Sequence, residues 1–211
     1  MMSLVLTLAL TASEWTLLYE EAGIKMFSAK HAAFPTFKAE GEIPVNLLDL
    51  LAVIADVKHR KEWLTDIRLS RIVEGNVDSR VIIYEQFAMP WPVSNRDCVV
   101  ESVIEKDFDE GIVTVRFHQV NHSAMPDAAG YVRMPVIRGL MRYSYIDATR
   151  TFAEYETTLD VGGSLPRWMI ALATKKVPIF TLQALIKQVG KTQGRYDAFV
   201  REQRAKLKFK E

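Results

Sequence analysis

The chain has 211 residues, 49% hydrophobic and 25% charged, with a formal net charge of +1. That is the make-up of one globular domain with a sizeable core, and it excludes the concentrated basic face that displaces counterions from nucleic acid. A single cysteine, Cys98, excludes an internal disulfide, and the four histidines (His31, His59, His118, His122) form no metal-ligand spacing with it, so neither a metal nor a cofactor is expected.

The apolar run Ser3 to Leu10, followed by Thr11-Ala12-Ser13, fits a secretory signal, although it is short and carries no Lys or Arg before it. The alternative is an N-terminal arm. Residues 1–13 therefore read as a signal remnant or an arm, which leaves the compartment open between cytoplasm and periplasm or exterior, and residues 14–211 read as one domain. Trp15 to Glu21 reads as a short helix, and Ile24 to Ser28 and Phe37 to Ile43 as strands around a Pro35 turn. Pro44 opens a helical stretch in which Leu47, Leu51, Ile54 and Val57 share a face, ending near Trp63. Seven strand-like runs follow: Ile67 to Glu74, Arg80 to Ala88, Asp97 to Glu105, Ile112 to Val120, Tyr131 to Pro135, Leu140 to Ile146 and Phe152 to Val161. Short turns between them imply antiparallel neighbours. A long helix from about Pro166 to Gly190, kinked at Pro178, closes an α+β pattern: a curved antiparallel sheet gripping a C-terminal helix.

Alternation sets Val81, Ile83, Glu85 and Phe87 on one face, and Cys98, Val100, Ser102 and Ile104 on the matching face of the next strand. A lone carboxylate among apolar neighbours must find partners or hold a proton. Tyr143, Tyr145 and Tyr155 offer hydroxyls from the later strands, and Leu165, Trp168, Met169 and Leu172 offer large adaptable side chains from the closing helix. Spacing is equally compatible with a filled core holding a Glu–Tyr network and with a hollow one.

The stretch "PWPVSNRD" at 90–97, followed by a strand, resembles the signature of the START family, the lipid-transfer domains related to the steroidogenic acute regulatory protein. "DVGGSLPRWM" at 160–169 is similar to that family's strand-to-helix junction, and "EWTLLYEEAGIKMFS" at 14–28 and "VIADVKHRKEWL" at 53–64 match in order and spacing. The resemblance covers about residues 14 to 190 and implies a helix-grip fold, a sheet of about nine strands around the terminal helix with an internal hydrophobic cavity. It implies a lipid or other hydrophobic small molecule as partner, with a cavity lined by Ile83, Glu85, Phe87, Val100, Ser102, Tyr143, Tyr145, Tyr155, Leu165, Trp168, Met169 and Leu172. The Arg96–Asp97 pair is expected to be a structural ion pair pinning the central strand. Glu85 matches an acidic position of sterol-binding members. Several members place an Arg six residues after the Arg of the "RD" pair, and here that position is Ser102. The partner of Glu85 is thus missing from its expected place. Arg116, His118 or a tyrosine hydroxyl could substitute, although alternation turns Arg116 and His118 outward.

The implied activity is lipid binding and transfer by a monomer, with no catalytic residues. The alternatives are a helix-grip enzyme of the polyketide cyclase or hydrolase type and a ligand sensor; no nucleophile–base pair or phosphate loop supports the first. The loop Asn121 to Gly130 and the kinked helix are candidate gates. The basic end, with Lys191, Arg195, Arg201, Arg204, Lys206, Lys208 and Lys210 beside a loose apolar stripe of Tyr196, Phe199, Val200 and Leu207, is either a transient membrane-surface contact or a solvated helix end.

Overall fold

The computed structural model describes residues 15–30, 32–64, 66–165, 170 and 175–206. Residues 1–13 and the side chains of Trp168, Met169, Leu172 and Leu207 lie outside that set. The chain opens with β1 (Trp15–Glu21), β2 (Ile24–Ala29) and β3 (Thr36–Ile43), then α1 (Leu47–Ala55) and a 3₁₀ helix (Val57–Glu62). There follow β4 (Ile67–Gly75), β5 (Arg80–Phe87), β6 (Asn95–Asp107), β7 (Ile112–Gln119), β8 (Tyr131–Arg133), β9 (Val136–Asp147) and β10 (Arg150–Asp160). Two helices, α2 (Val177–Lys191) and α3 (Asp197–Arg204), close it. The strands form one sheet in the order β1-β2-β3-β10-β9-β7-β6-β5-β4, antiparallel throughout, with β8 added in parallel at the start of β6.

Two expected elements differ. Trp15–Glu21 is a strand rather than a helix, because Ala22 and Gly23 both take positive φ (50° and 78°) and make the two-residue turn that pairs Glu21 with Ile24. Pro178 does not kink a long helix. It stands in the first turn of α2, where its missing N–H costs no hydrogen bond. Helix α1 begins at Leu47 rather than at Pro44, because Asn46 caps it by accepting from Leu48 N at 2.8 Å.

The sheet is filled at one end. Met26, Phe37, Ala39 and Ile43 of β2 and β3, with Ala153 of β10, pack against Leu47, Leu48 and Leu51 of α1 and against Ile179, Leu182 and Leu185 of α2, all buried. Toward β4 to β7 the 3₁₀ helix packs on β4 and Ile170 on Cys98 and Val100, and the convex face is covered as well. Ile82, Tyr84 and Val99 are buried beneath Met125 of the loop that follows β7. The 121–130 loop therefore caps the back of the sheet, and contributes nothing to the concave side where a gate would stand.

Arg96 and Asp97 do not pair with each other. Successive residues of a strand point to opposite faces. Arg96 turns to the concave side, where Nε donates to Val161 O at 2.9 Å, Nη2 to Gly162 O at 2.8 Å and Nη1 to Ser94 O. Gly162 and Gly163, both at positive φ, form the turn that this guanidinium lies against, and a Cβ on Gly163 would stand 3.0 Å from Arg96 Nη2. Asp97 turns to the convex side and accepts both fork bonds of Arg133 (2.9 and 3.0 Å) and the Tyr84 hydroxyl (3.0 Å). The hydrogen bonds to Asp97, and then its charge, raise the Arg133 pKa.

Asp97 is fully buried, so its removal leaves Arg133 with only the exposed Asp127, at 3.8 Å, as counter-ion. Asp97→Ala should lower unfolding free energy by about 3–5 kcal/mol in urea titrations; a loss below about 1 kcal/mol would show that the pair is dispensable.

Candidate functional site: an apolar cavity with one ion pair

The filled end and the curl of the sheet leave a cavity of about 760 Å³ between the concave face of β4 to β10 and α2. Its walls are Ile67, Ile83, Phe87, Val100, Val115, Phe117, Ile137, Met141 and Leu159 from the strands and Val161 just after β10, with Val177, Ala184 and Leu185 from α2. Phe117 and Tyr155 form one wall with ring centroids 6.1 Å apart and planes at 59°. The mouth is bordered by Glu62, Trp63 and Leu64, by Met89 and Pro90, and by Phe180, Lys187 and Lys191.

Of the residues expected to line a cavity, Ile83, Glu85, Phe87, Val100, Ser102 and Tyr155 do so. Tyr143 does not. On β9 it faces Val113 and Ala153, in the filled half beneath α1, and it is fully buried there. Burial in that packing pushes its hydroxyl pKa up. Tyr145 packs at the edge of the same core, and Leu165 against the cluster of Cys98, Met134, Ile137 and Leu159. Alternation identified the right face for the tyrosines of β9, but a shared face runs from the filled half into the hollow half, and only position along the strand separates the two.

The carboxylate of Glu85 has a cationic partner that sequence reasoning missed. Arg60 Nη1 donates to Glu85 Oε1 at 2.8 Å, and Ser70 Oγ, from the cross-strand neighbour on β4, donates to the same oxygen at 2.9 Å. The pair is largely buried, with side-chain exposures of 20% for Arg60 and 10% for Glu85. Arg116 and His118, the alternatives considered from sequence, are exposed on the other face, as alternation indicated. Arg60 sits in a charged run, "HRKE", that reads as solvated surface. Its signal is three-residue spacing: Val57, Arg60 and Trp63 fall on one line of a 3₁₀ helix, and Val57 is buried.

Tyr155 adds a hydroxyl to the same wall. Burial pushes its pKa up to about 12, so it stays protonated and can donate a hydrogen bond across the physiological range. Among the described residues the inner wall thus offers the Arg60–Glu85 pair, the Arg96 guanidinium held by backbone carbonyls, and the hydroxyls of Ser102, Tyr155 and Thr157, in a chamber otherwise lined largely by hydrocarbon. Among the described residues no group of His, Cys, Asp and Glu is placed to hold a metal ion.

A curled antiparallel sheet closed by a C-terminal helix around a chamber defines a helix-grip domain, a class built to enclose a ligand. The START domain profile matches residues 1–193, and the chain belongs to the START family. The phosphatidylcholine transfer protein of Bos taurus is 30% identical over 186 residues, covering 85% of this chain and 85% of that protein. The crystal structure of a STAR-related lipid transfer protein from Xanthomonas axonopodis is 28% identical with a TM-score of 0.73, over 83% of this chain and 98% of that one. Human STARD10 superposes with a TM-score of 0.79 at 18% identity, over 87% of this chain and 76% of that one, a likeness of fold.

Breaking a buried pair costs more than replacing it whole. Arg60→Met should destabilise the protein by on the order of 2–4 kcal/mol, less than a fully dry pair because both groups keep some exposure. Adding Glu85→Leu should restore most of that loss in the same denaturant titration. A double variant no more stable than Arg60→Met would place the charges outside a common low-dielectric site.

Proposed function

We propose that the protein holds one amphiphilic lipid in the chamber, its polar group at the Arg60–Glu85–Ser70 station and its apolar part along the β5 to β10 wall, and exchanges it with membranes at the mouth. The observation that carries this reading is the coexistence of a chamber of about 760 Å³ with a satisfied ion pair, Arg60–Glu85, on its wall. That volume lies in the upper part of the ~300–1,000 Å³ range of small-molecule sites. Membership of the START family and the likeness to a phosphatidylcholine transfer protein support the lipid class.

The energetics suit a carrier. Each CH₂ moving from bilayer to chamber exchanges one apolar environment for another, so the roughly 0.8 kcal/mol that it would cost in water is avoided on both sides. The barrier lies in crossing the interface. The apolar stripe of Tyr196, Phe199 and Val200, read from sequence as part of either a membrane contact or a solvated helix end, is half-buried against the core beside α1. The mouth offers a better contact: Trp91 is 93% exposed beside Met89 and Pro90, and Phe180 is 54% exposed on α2 with Lys176 over its ring. Lys187 and Lys191 border the same opening. Aromatic rings flanked by lysines suit a bilayer interface carrying anionic lipid. A catalytic reading has less support, because Glu85 is engaged by two donors and Tyr155 is held protonated.

A bulky residue should fill the chamber without disturbing the fold. Val100→Trp is expected to cut uptake of an acyl-labelled fluorescent phospholipid by about tenfold, a loss of ~1.4 kcal/mol, with an unchanged far-UV circular dichroism spectrum; undiminished uptake would place the lipid elsewhere. Trp91→Ala should slow vesicle-to-vesicle transfer several-fold while leaving the equilibrium affinity for the same lipid unchanged, and equal transfer rates would remove the mouth from the docking surface.

A further inference from the structure

The 3₁₀ helix carries a second line of side chains beside the one that enters the chamber. With three residues per turn, Asp56, His59 and Glu62 form one row, Val57, Arg60 and Trp63 the next, while Lys58 and Lys61 face solvent. The first row is held from outside. Tyr196 Oη donates to Asp56 Oδ2 at 2.9 Å, where His59 Nδ1 also lies at 2.7 Å. Arg195 Nη1 donates to Glu62 Oε2 at 2.8 Å and Gln188 Nε2 to the same oxygen at 3.1 Å. Arg195 and Tyr196 form the corner between α2 and α3, beyond residue 193, where the START match ends.

We infer that Arg195 and Tyr196 are positioning residues: by gripping the Asp56 and Glu62 row they fix the 3₁₀ helix in the rotation that presents Arg60 to the polar group of a bound lipid. The corner is itself anchored. Tyr196, Phe199 and Val200 pack against the core, and Gln203 of α3 is 1% exposed. The gripped element needs such support, since a six-residue 3₁₀ helix has poor internal hydrogen-bond geometry and no capping side chain at its start. The Arg195–Glu62 contact is 44% and 35% exposed, so its effect on global stability is small. Its effect on Arg60 is geometric, because Arg60 stands on the row adjacent to Glu62 and a rotation of the short helix moves both.

This inference rests on the reading that the polar end of the lipid meets Arg60, and a double-mutant cycle separates the two. Two probes are compared: an acyl-labelled fluorescent phospholipid, and diphenylhexatriene, a hydrocarbon fluorophore with no polar group. The R195A/Y196F variant should bind the phospholipid probe about three- to tenfold more weakly and diphenylhexatriene unchanged, with R195K recovering much of the loss in the Arg195 arm. In an R60M background, or R60K if that variant fails to fold, the same two substitutions should cost nothing further. Additive losses, or equal losses for both probes, would overturn the positioning role while leaving Arg60 as the anchor. An R60M protein that binds the phospholipid probe as tightly as the parent would overturn the anchor itself and the inference with it.

Discussion

Arg96 joins parts of the sheet that are not neighbours. β6 and β10 are separated by β9 and β7, yet a guanidinium at the start of β6 donates to the two carbonyls that follow β10, Val161 and Gly162. Such a bond forms only if the sheet is curled far enough to bring those ends together across its concave side. The group is 2% exposed, and burial lowers its pKa, so its charge is retained there by hydrogen bonds to three carbonyls rather than by a counter-ion. Two glycines at positive φ let the chain turn closely around it. The chamber is the space that this curl encloses.

The same sheet does two jobs along its length. At the β2, β3 and β10 end small and branched residues meet α1 and α2 in close packing, which supplies the burial that stabilises the domain. Toward β4 to β7 the convex face is covered, the concave face is open to the chamber, and, apart from Arg96 with its three carbonyls, the buried charges form two paired systems. Asp97 with Arg133 and Tyr84 lies behind the sheet, and Glu85 with Arg60 and Ser70 lies within it. Each is neutral in sum. Neutrality matters more inside, where an uncompensated charge in an apolar chamber would cost several kcal/mol and draw in water.

Much of this was legible in the sequence, and the failures have physical causes. Strand positions followed from alternating β-branched and aromatic residues bounded by turn residues, and the START resemblance supplied the curl that alternation cannot express. Glu85 stood out because a carboxylate interrupted an apolar face. Its partner did not, since Arg60 is brought there by a 3₁₀ helix whose three-residue period hides in a run of charges. Trp15–Glu21 was misread because a seven-residue stretch has no periodicity long enough to separate helix from strand, whereas the Ala22-Gly23 turn decides it through backbone geometry. Arg96 and Asp97 were paired on adjacency, although adjacent residues in a strand diverge. Tyr143 and Tyr155 share a face and belong to one buried cluster, and only position along the sheet gives Tyr155 a side on the chamber.

The account stands on the chamber being occupied by a single amphiphile. Native mass spectrometry of protein purified without detergent, from cells supplied with ¹³C-labelled acetate, measures this directly. The account predicts one labelled, non-covalent adduct of lipid mass per chain, released on unfolding and identified as an amphiphile in the organic extract. A bare chain mass under conditions that preserve the fold, together with no adduct after incubation with mixed phospholipid vesicles, would contradict it.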